Sequence, residues 1–141
     1  MRVLGIDYGE RRIGLALSDP TGTIASPLVT LTRRPGKRPP WSELERLVRE
    51  SEVEEVVVGL PLALSGEEGP WAAEVREFAE KVATRTGLPV RLLDERMTSV
   101  RAERLVRTSG LPKGKREEKA RVDATAAAII LQNHLDMRGG T

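Results

Sequence analysis

Three places in the chain set a carboxylate at the boundary of an apolar run. Asp7 closes 2–7 (RVLGID), Asp94 and Glu95 follow 90–93 (VRLL), and Asp123 opens 122–131 (VDATAAAIIL). An acid ending an otherwise apolar strand is costly to bury without a partner, which singles out Asp7. Three converging carboxylates repel one another unless a cation sits among them, and an oxygen-only ligand set suits Mg²⁺ or Mn²⁺. Two such ions, about 3.5–4 Å apart, activate a water and stabilise the leaving oxygen of a phosphodiester. That chemistry needs no cysteine or histidine. The chain has no cysteine, which excludes disulfides, thiolate zinc sites and cysteine nucleophiles. Its single histidine, His134, reads as a residue near a helix C-terminus rather than a ligand. Each acid also has a structural use: Asp7 to begin a turn with Gly9, Asp123 to charge a helix N-terminus, Asp94 or Glu95 to pair with Arg96. Residue types alone do not choose between Asp94 and Glu95.

The elements that must position these acids follow from periodicity. Residues 2–7 read as a buried strand, and 11–18 (RRIGLALS) alternate, with Ile13, Leu15 and Leu17 on one face and Gly14, Ala16 and Ser18 on the other. Tyr8-Gly9-Glu10 joins them as a hairpin turn. After the turn Asp19-Pro20-Thr21-Gly22, a third strand is expected near 24–32, where Pro27 argues for a sheet edge or a bulge. Trp41, Leu44, Leu47 and Val48 then fall at helical spacing behind Pro39 and Pro40. Residues 54–60 form a β-branched run typical of a strand covered on both faces. Beyond the loop 61–69, Trp71, Val75, Phe78, Ala79 and Val82 make an amphipathic helix stopped by Gly87. A short strand at 90–93, a helix at about 98–108, a charged stretch at 112–119 and a last helix from 117 or 121 to 136 complete the order β-β-β-α-β-α-β-α-α. This predicts an α/β fold: a mixed five-stranded sheet, first three strands antiparallel and later ones parallel, with helices on both faces. In such sheets ligands sit beyond the carboxyl ends of parallel strands, where Asp7 and the pair Asp94 and Glu95 are expected to emerge. Small residues around Asp123 would let its helix approach the sheet closely.

With 141 residues, 39% hydrophobic and 31% charged, the chain suits one globular domain over 1–138 with a short tail at 139–141. No segment has the length and apolarity to span a membrane, and the N-terminus lacks the sections of a signal peptide, so a cytoplasmic location is expected. Net charge is only +2, but the cations cluster. Arg33, Arg34, Lys37 and Arg38 form one group; Lys113, Lys115, Arg116, Lys119 and Arg121 form another, with Arg96, Arg101, Arg104 and Arg107 between them. Such patches suit phosphates. Arg11, Arg12, Arg96, Lys113 and Lys115, beside the acids or in the charged stretch, are the candidate substrate contacts. Trp71 and Phe78 fit a helix–sheet core, which leaves Tyr8, next to Asp7, as the aromatic placed to stack on a base.

Four segments carry a resemblance: GIDYGERRIGLALSD (5–19), VVGLPLALSG (57–66), DERMTS (94–99) and VDATAAAIILQ (122–132). In order and spacing, over nearly the whole chain, they resemble the YqgF/RuvX family. The resemblance implies a ribonuclease-H-like fold related to Holliday-junction resolvases. It also implies a bacterial cytoplasmic nuclease associated with maturation of the 5′ end of 16S ribosomal RNA, with Asp7, Glu95 and Asp123 as the acidic, metal-holding triad. Two departures from the family stand out, and one contrast with related resolvases. Arg11-Arg12 replaces the family's frequent lysine before arginine. Ala63 and Ser65 replace an asparagine and an aspartate. Gly59-Leu60-Pro61 stands where related resolvases carry an acid at the end of the fourth strand. The alternatives are a Holliday-junction resolvase, which needs two sites and so a homodimer, and a non-catalytic nucleic-acid-binding module. An actin-like ATPase is disfavoured because it needs two such lobes.

Overall fold

The computed structural model describes the backbone of residues 1–33, 38–98 and 116–139, and the side chains of these except 97, 116–123 and 139. The elements are β1 (Val3–Tyr8), β2 (Arg12–Ser18), β3 (Ala25–Thr32), α1 (Trp41–Glu50), β4 (Glu55–Leu60), α2 (Pro70–Thr86), β5 (Val90–Asp94), a 3₁₀ turn (Glu95–Met97) and α3 (Arg116–Gly139). The expected helix at 98–108, along with Lys113 and Lys115, lies outside the described residues. The strands form one sheet in the order β3-β2-β1-β4-β5. β1 pairs antiparallel with β2, and β2 with β3, while β1 with β4 and β4 with β5 are parallel. Pro27 does what its missing N–H requires: it lies on edge strand β3, where the register with β2 shifts opposite Leu15 and Ala16.

Alternation divides the sheet between two cores. Leu4, Ile6 and Tyr8 of β1, with Val56, Val58 and Leu60 of β4, pack under α1 and α2. The intervening residues Val3 and Val57, with Ala16 and Leu93, meet Ala127, Ile130 and Leu131 of α3 on the other face. α1 buries Trp41, Leu44 and Val48 at helical spacing. α2 begins at Pro70, which needs no N–H partner there. It ends at Gly87, whose left-handed φ of 72° lets its N–H reach Ala83 O. Trp41 stacks on Phe78 with ring centroids 5.4 Å apart, joining the two helices.

α3 lies unusually close to the sheet. A Cβ on Gly5 would fall 2.7 Å from Leu131 Cβ and 2.9 Å from Ala127 O, so only glycine admits the helix backbone at this point. At the other end of the contact, the buried Glu55 carboxylate meets His134 Nε2 at 2.7 Å and accepts from Arg138 Nη1 at 3.0 Å. Val3 pairs with Glu55 in the sheet, so α3 runs antiparallel to β1, its N-terminal part heading for the end of β1 that carries Asp7. Gln132 ties the helix to the edge of the sheet. Its Nε2 donates to Thr23 O and its Oε1 accepts from Ala25 N, both at 2.9 Å.

Gly5→Ala is expected to force α3 off the sheet at a cost of about 1–3 kcal/mol, the usual penalty for overpacking. A lowered urea midpoint with an unchanged slope would register it; a midpoint equal to wild type would contradict the close approach.

Candidate active site

The carboxyl ends of β1, β4 and β5 lie side by side, and the acids are set there by alternation. Asp7 points to the same face as Gly5, the face covered by α3, and is only 6% exposed. Its partner across β2 is Gly14. On the other side the β1–β4 register runs from Val3 opposite Glu55 to Ile6 opposite Val58. One further step puts Asp7 beside Gly59, at the roughly 4.8 Å spacing of paired strands. Asp7 is therefore flanked on both neighbouring strands by residues without side chains.

Glu95 enters this space from β5. Asp94 ends that strand and caps the short 3₁₀ turn by accepting from Arg96 N at 2.9 Å. The turn swings Glu95 back over the sheet, where it is 4% exposed and its Oε1 lies 2.8 Å from the position a Gly59 Cβ would take. The two neighbouring acids thus separate by role. Asp94 holds Arg96 at 2.6 Å, while Glu95 is buried beside Asp7. The pairing with Asp94 also holds the Arg96 guanidinium above its already high ordinary pKa. Arg96 Nη1 further donates to Leu64 O at 3.2 Å and lies 3.2 Å from where Gly66, at φ 92°, would carry a Cβ, so it straps down the loop between β4 and α2.

Asp123 lies in α3, one helical turn before Ala127, which sits over Gly5. Its side chain is outside the described residues. Among the described residues, no three His, Cys, Asp or Glu side chains gather as a metal site. The described part of the acid set nevertheless fits a hard divalent cation: two buried carboxylates, one from β1 and one from the turn after β5, oxygen donors only, with glycine on either side of Asp7.

Arg11 and Arg12 belong to the β1–β2 hairpin at the same rim, where Gly9 N donates to Arg12 O at 3.0 Å, and they line a shallow depression with Glu10. Tyr8 does not serve as a stacking platform for a base, contrary to the expectation from its place beside Asp7. Alternation turns it to the opposite face, where it is 8% exposed and stacks on Phe78 (3.9 Å) and Trp71 (5.4 Å). Burial pushes its hydroxyl above the ordinary tyrosine range, opposed by Arg33, which donates to it.

Gly59, which the sequence marks only as one of three residues standing where related resolvases carry an acid, leaves the space that the Glu95 carboxylate occupies; a Cβ there would also strike Ile130 Cδ1 at 2.6 Å. Gly59→Ala should force Glu95 and Ile130 to shift at a cost of about 1–3 kcal/mol, read as a lowered urea midpoint. A midpoint equal to wild type would contradict this placement.

The comparisons agree with this geometry. Among curated relatives, the chain is 47% identical over 136 residues to a "Putative pre-16S rRNA nuclease" of Chloroflexus aurantiacus, covering 96% of this chain and 87% of that one. It is 49% identical over 144 residues to a protein of the same name from Nocardioides sp., covering 98% and 89%. Among solved structures, Thermus thermophilus RuvC in complex with a Holliday junction substrate superposes with a TM-score of 0.58 at 22% identity, covering 100% of this chain and 98% of that one. Fowlpox virus resolvase with its Holliday junction DNA gives 0.57 at 11%, covering 98% and 99%. These two likenesses establish the ribonuclease-H-like fold. The model of the family described as "RuvX: Holliday junction resolvase" matches residues 1–137, and the chain belongs to that family.

Proposed function

We propose that this protein is a divalent-metal-dependent nuclease in which Asp7, Glu95 and Asp123 hold the metal, and that its substrate is the precursor of 16S ribosomal RNA in the cytoplasm. The observation that carries the reading is the burial of Asp7 and Glu95 on one face of the sheet, one strand apart, though far apart in sequence. Brought to one face from distant parts of the chain, the two carboxylates supply oxygen donors of the kind a hard divalent cation takes. The approach of α3 to Gly5 supports Asp123 as the third member, because the helix leads its N-terminal part toward the end of β1.

Bound between these acids, Mg²⁺ or Mn²⁺ would supply activation of a water and neutralisation of the leaving oxygen. The protein's own contribution is positional. Asp7 and Glu95 are fixed by a strand and a capped turn, so little freedom is lost when substrate arrives. Arg11 and Arg12 at the rim are suited to the phosphates flanking the scissile bond. Arg96 is placed beside the acids but is engaged with Asp94 and Leu64 O, so beyond any phosphate contact its part is to hold the loop between β4 and α2 in place. Lys113 and Lys115 complete the proposed contacts. In the cleavage the phosphorus–oxygen bond to the sugar oxygen of the leaving strand breaks as one to the water oxygen forms; one water proton ends on that leaving oxygen as a hydroxyl, and the other stays on the new terminal phosphate or passes to solvent.

The family description favours a second reading, cleavage of a four-way DNA junction. That would require two copies acting as a homodimer. One experiment addresses both: cleavage with Mg²⁺ or Mn²⁺ of precursor 16S rRNA and of a four-way DNA junction, side by side. Cleavage of the RNA is expected, falling at least about a hundredfold in Asp7→Asn and in Glu95→Gln, beyond the loss typical of mutating a residue that only supports a ligand. Asp94→Asn should cost much less. Unchanged cleavage by Asp7→Asn would overturn the site, and cleavage of the DNA junction alone would overturn the substrate.

A further inference from the structure

On the face of the sheet opposite the acids, a cavity of about 460 Å³ opens between the end of β3, α1 and α2. Its floor is aromatic: Tyr8, Trp41 and Phe78, stacked on one another and buried. Its walls carry four cations, Arg33, Arg38, Lys81 and Arg85, against two carboxylates, Glu74 and Glu77. The aromatic rings also hold guanidinium groups. Arg33 lies 5.0 Å above the Tyr8 ring and Arg85 4.6 Å above Trp41. Lys81 is held by Glu77 and Arg85 by Glu45, each at 3.2 Å, and both contacts are partly exposed to solvent. Even with Glu45 counted, the four cations outnumber the three carboxylates, and the two that stand over apolar rings, Arg33 and Arg85, are set to attract phosphate more strongly than the same charges on open surface. Because the rings' faces are already taken by one another and by arginine, the cavity suits a phosphate rather than a stacked base.

The cavity is joined to the acids through the backbone. Tyr8 directly follows Asp7 in β1, and Arg33 N donates to Arg11 O at 2.8 Å, so the end of β3 is bonded to the hairpin at the acidic rim. Cations thus continue from Arg11 and Arg12 around the end of the sheet to Arg33, Arg38, Lys81 and Arg85. We propose that this cavity is a second phosphate subsite, which holds the backbone of the nucleic-acid substrate on the sheet face opposite the acids while the scissile bond lies at Asp7 and Glu95. The proposal rests on the nuclease reading. The other source of the same chemistry is a free nucleotide, and the test separates the two.

The full chain is titrated into fluorescently labelled precursor 16S rRNA in EDTA, where no cleavage proceeds, over a series of salt concentrations. The wild type is compared with Arg38→Ala/Lys81→Ala, two exposed positions, and with Arg46→Ala, an exposed α1 cation paired with Glu50 outside the cavity. The double variant should bind about tenfold more weakly, with a salt dependence shallower by about one or two released counterions, and Arg46→Ala should match the wild type. Lys81→Arg should keep wild-type binding, and thermal melts of all variants should coincide, showing that the loss is not one of folding. An unchanged salt dependence in the double variant overturns the proposal, as does an equal loss in Arg46→Ala. Calorimetry with adenosine monophosphate and with inorganic phosphate is the second arm. Micromolar binding of either that the double variant abolishes, with RNA affinity intact, assigns the cavity to a free phosphate compound and also overturns it. Failure of the nuclease reading would show separately, as normal cleavage by Asp7→Asn, and does not depend on the RNA titration.

Discussion

The architecture turns on how closely α3 lies against the sheet. An α-helix packs on a sheet at a distance set by the side chains between them, and here the sheet lacks them at two points of the contact. Gly5 lets the Ala127 carbonyl and Leu131 down onto β1, and Gly59 does the same for Ile130 on β4. The helix carries the third proposed acid from the far end of the chain, and the same loss of side chains at Gly59 opens the space that Glu95 occupies. Placement of the helix and room for the carboxylate are one steric fact.

A second organising feature is the two-residue alternation of β1. Odd positions face α3 and the acids; even positions face α1, α2 and the aromatic core. Consecutive residues therefore meet opposite surroundings: Asp7 lies under a helix among glycines, Tyr8 against Phe78 and Trp71. A register slip of one residue would exchange them and bury the carboxylate among aromatic rings. The pairing of β1 with β2 on one side and β4 on the other guards against that slip.

The sequence reading reached the sheet, its mixed direction and the edge position of β3, because periodicity, β-branched runs and Pro27 are local signals. Asp7 was legible for the same reason: a carboxylate at the end of an apolar strand stands out without reference to anything distant. Asp94 and Glu95 could not be told apart by residue type. The choice depends on a three-residue turn and on a void at Gly59, neither visible without the fold. Tyr8 was misjudged because its exposure is decided by Trp71 and Phe78, which lie far along the chain in α2. The pairing of His134 with Glu55 was hidden too: the helical position of His134 was readable, but its carboxylate partner lies in β4.

That pairing bears on how α3 behaves as a mechanical part. Among the ties of the helix to the sheet are two stations on different strands, a notch at Gly5 and an ionic anchorage where Glu55 grips His134 and Arg138. A rod fixed at one station can still creep along its axis or spin about it. One residue of creep would carry each group on it about 1.5 Å along and 100° around. Two stations on different strands allow neither movement alone, so residues beyond the notch keep the azimuth the anchorage dictates. The aim of the proposed catalytic end is thus governed partly by an electrostatic grip at the opposite border of the sheet.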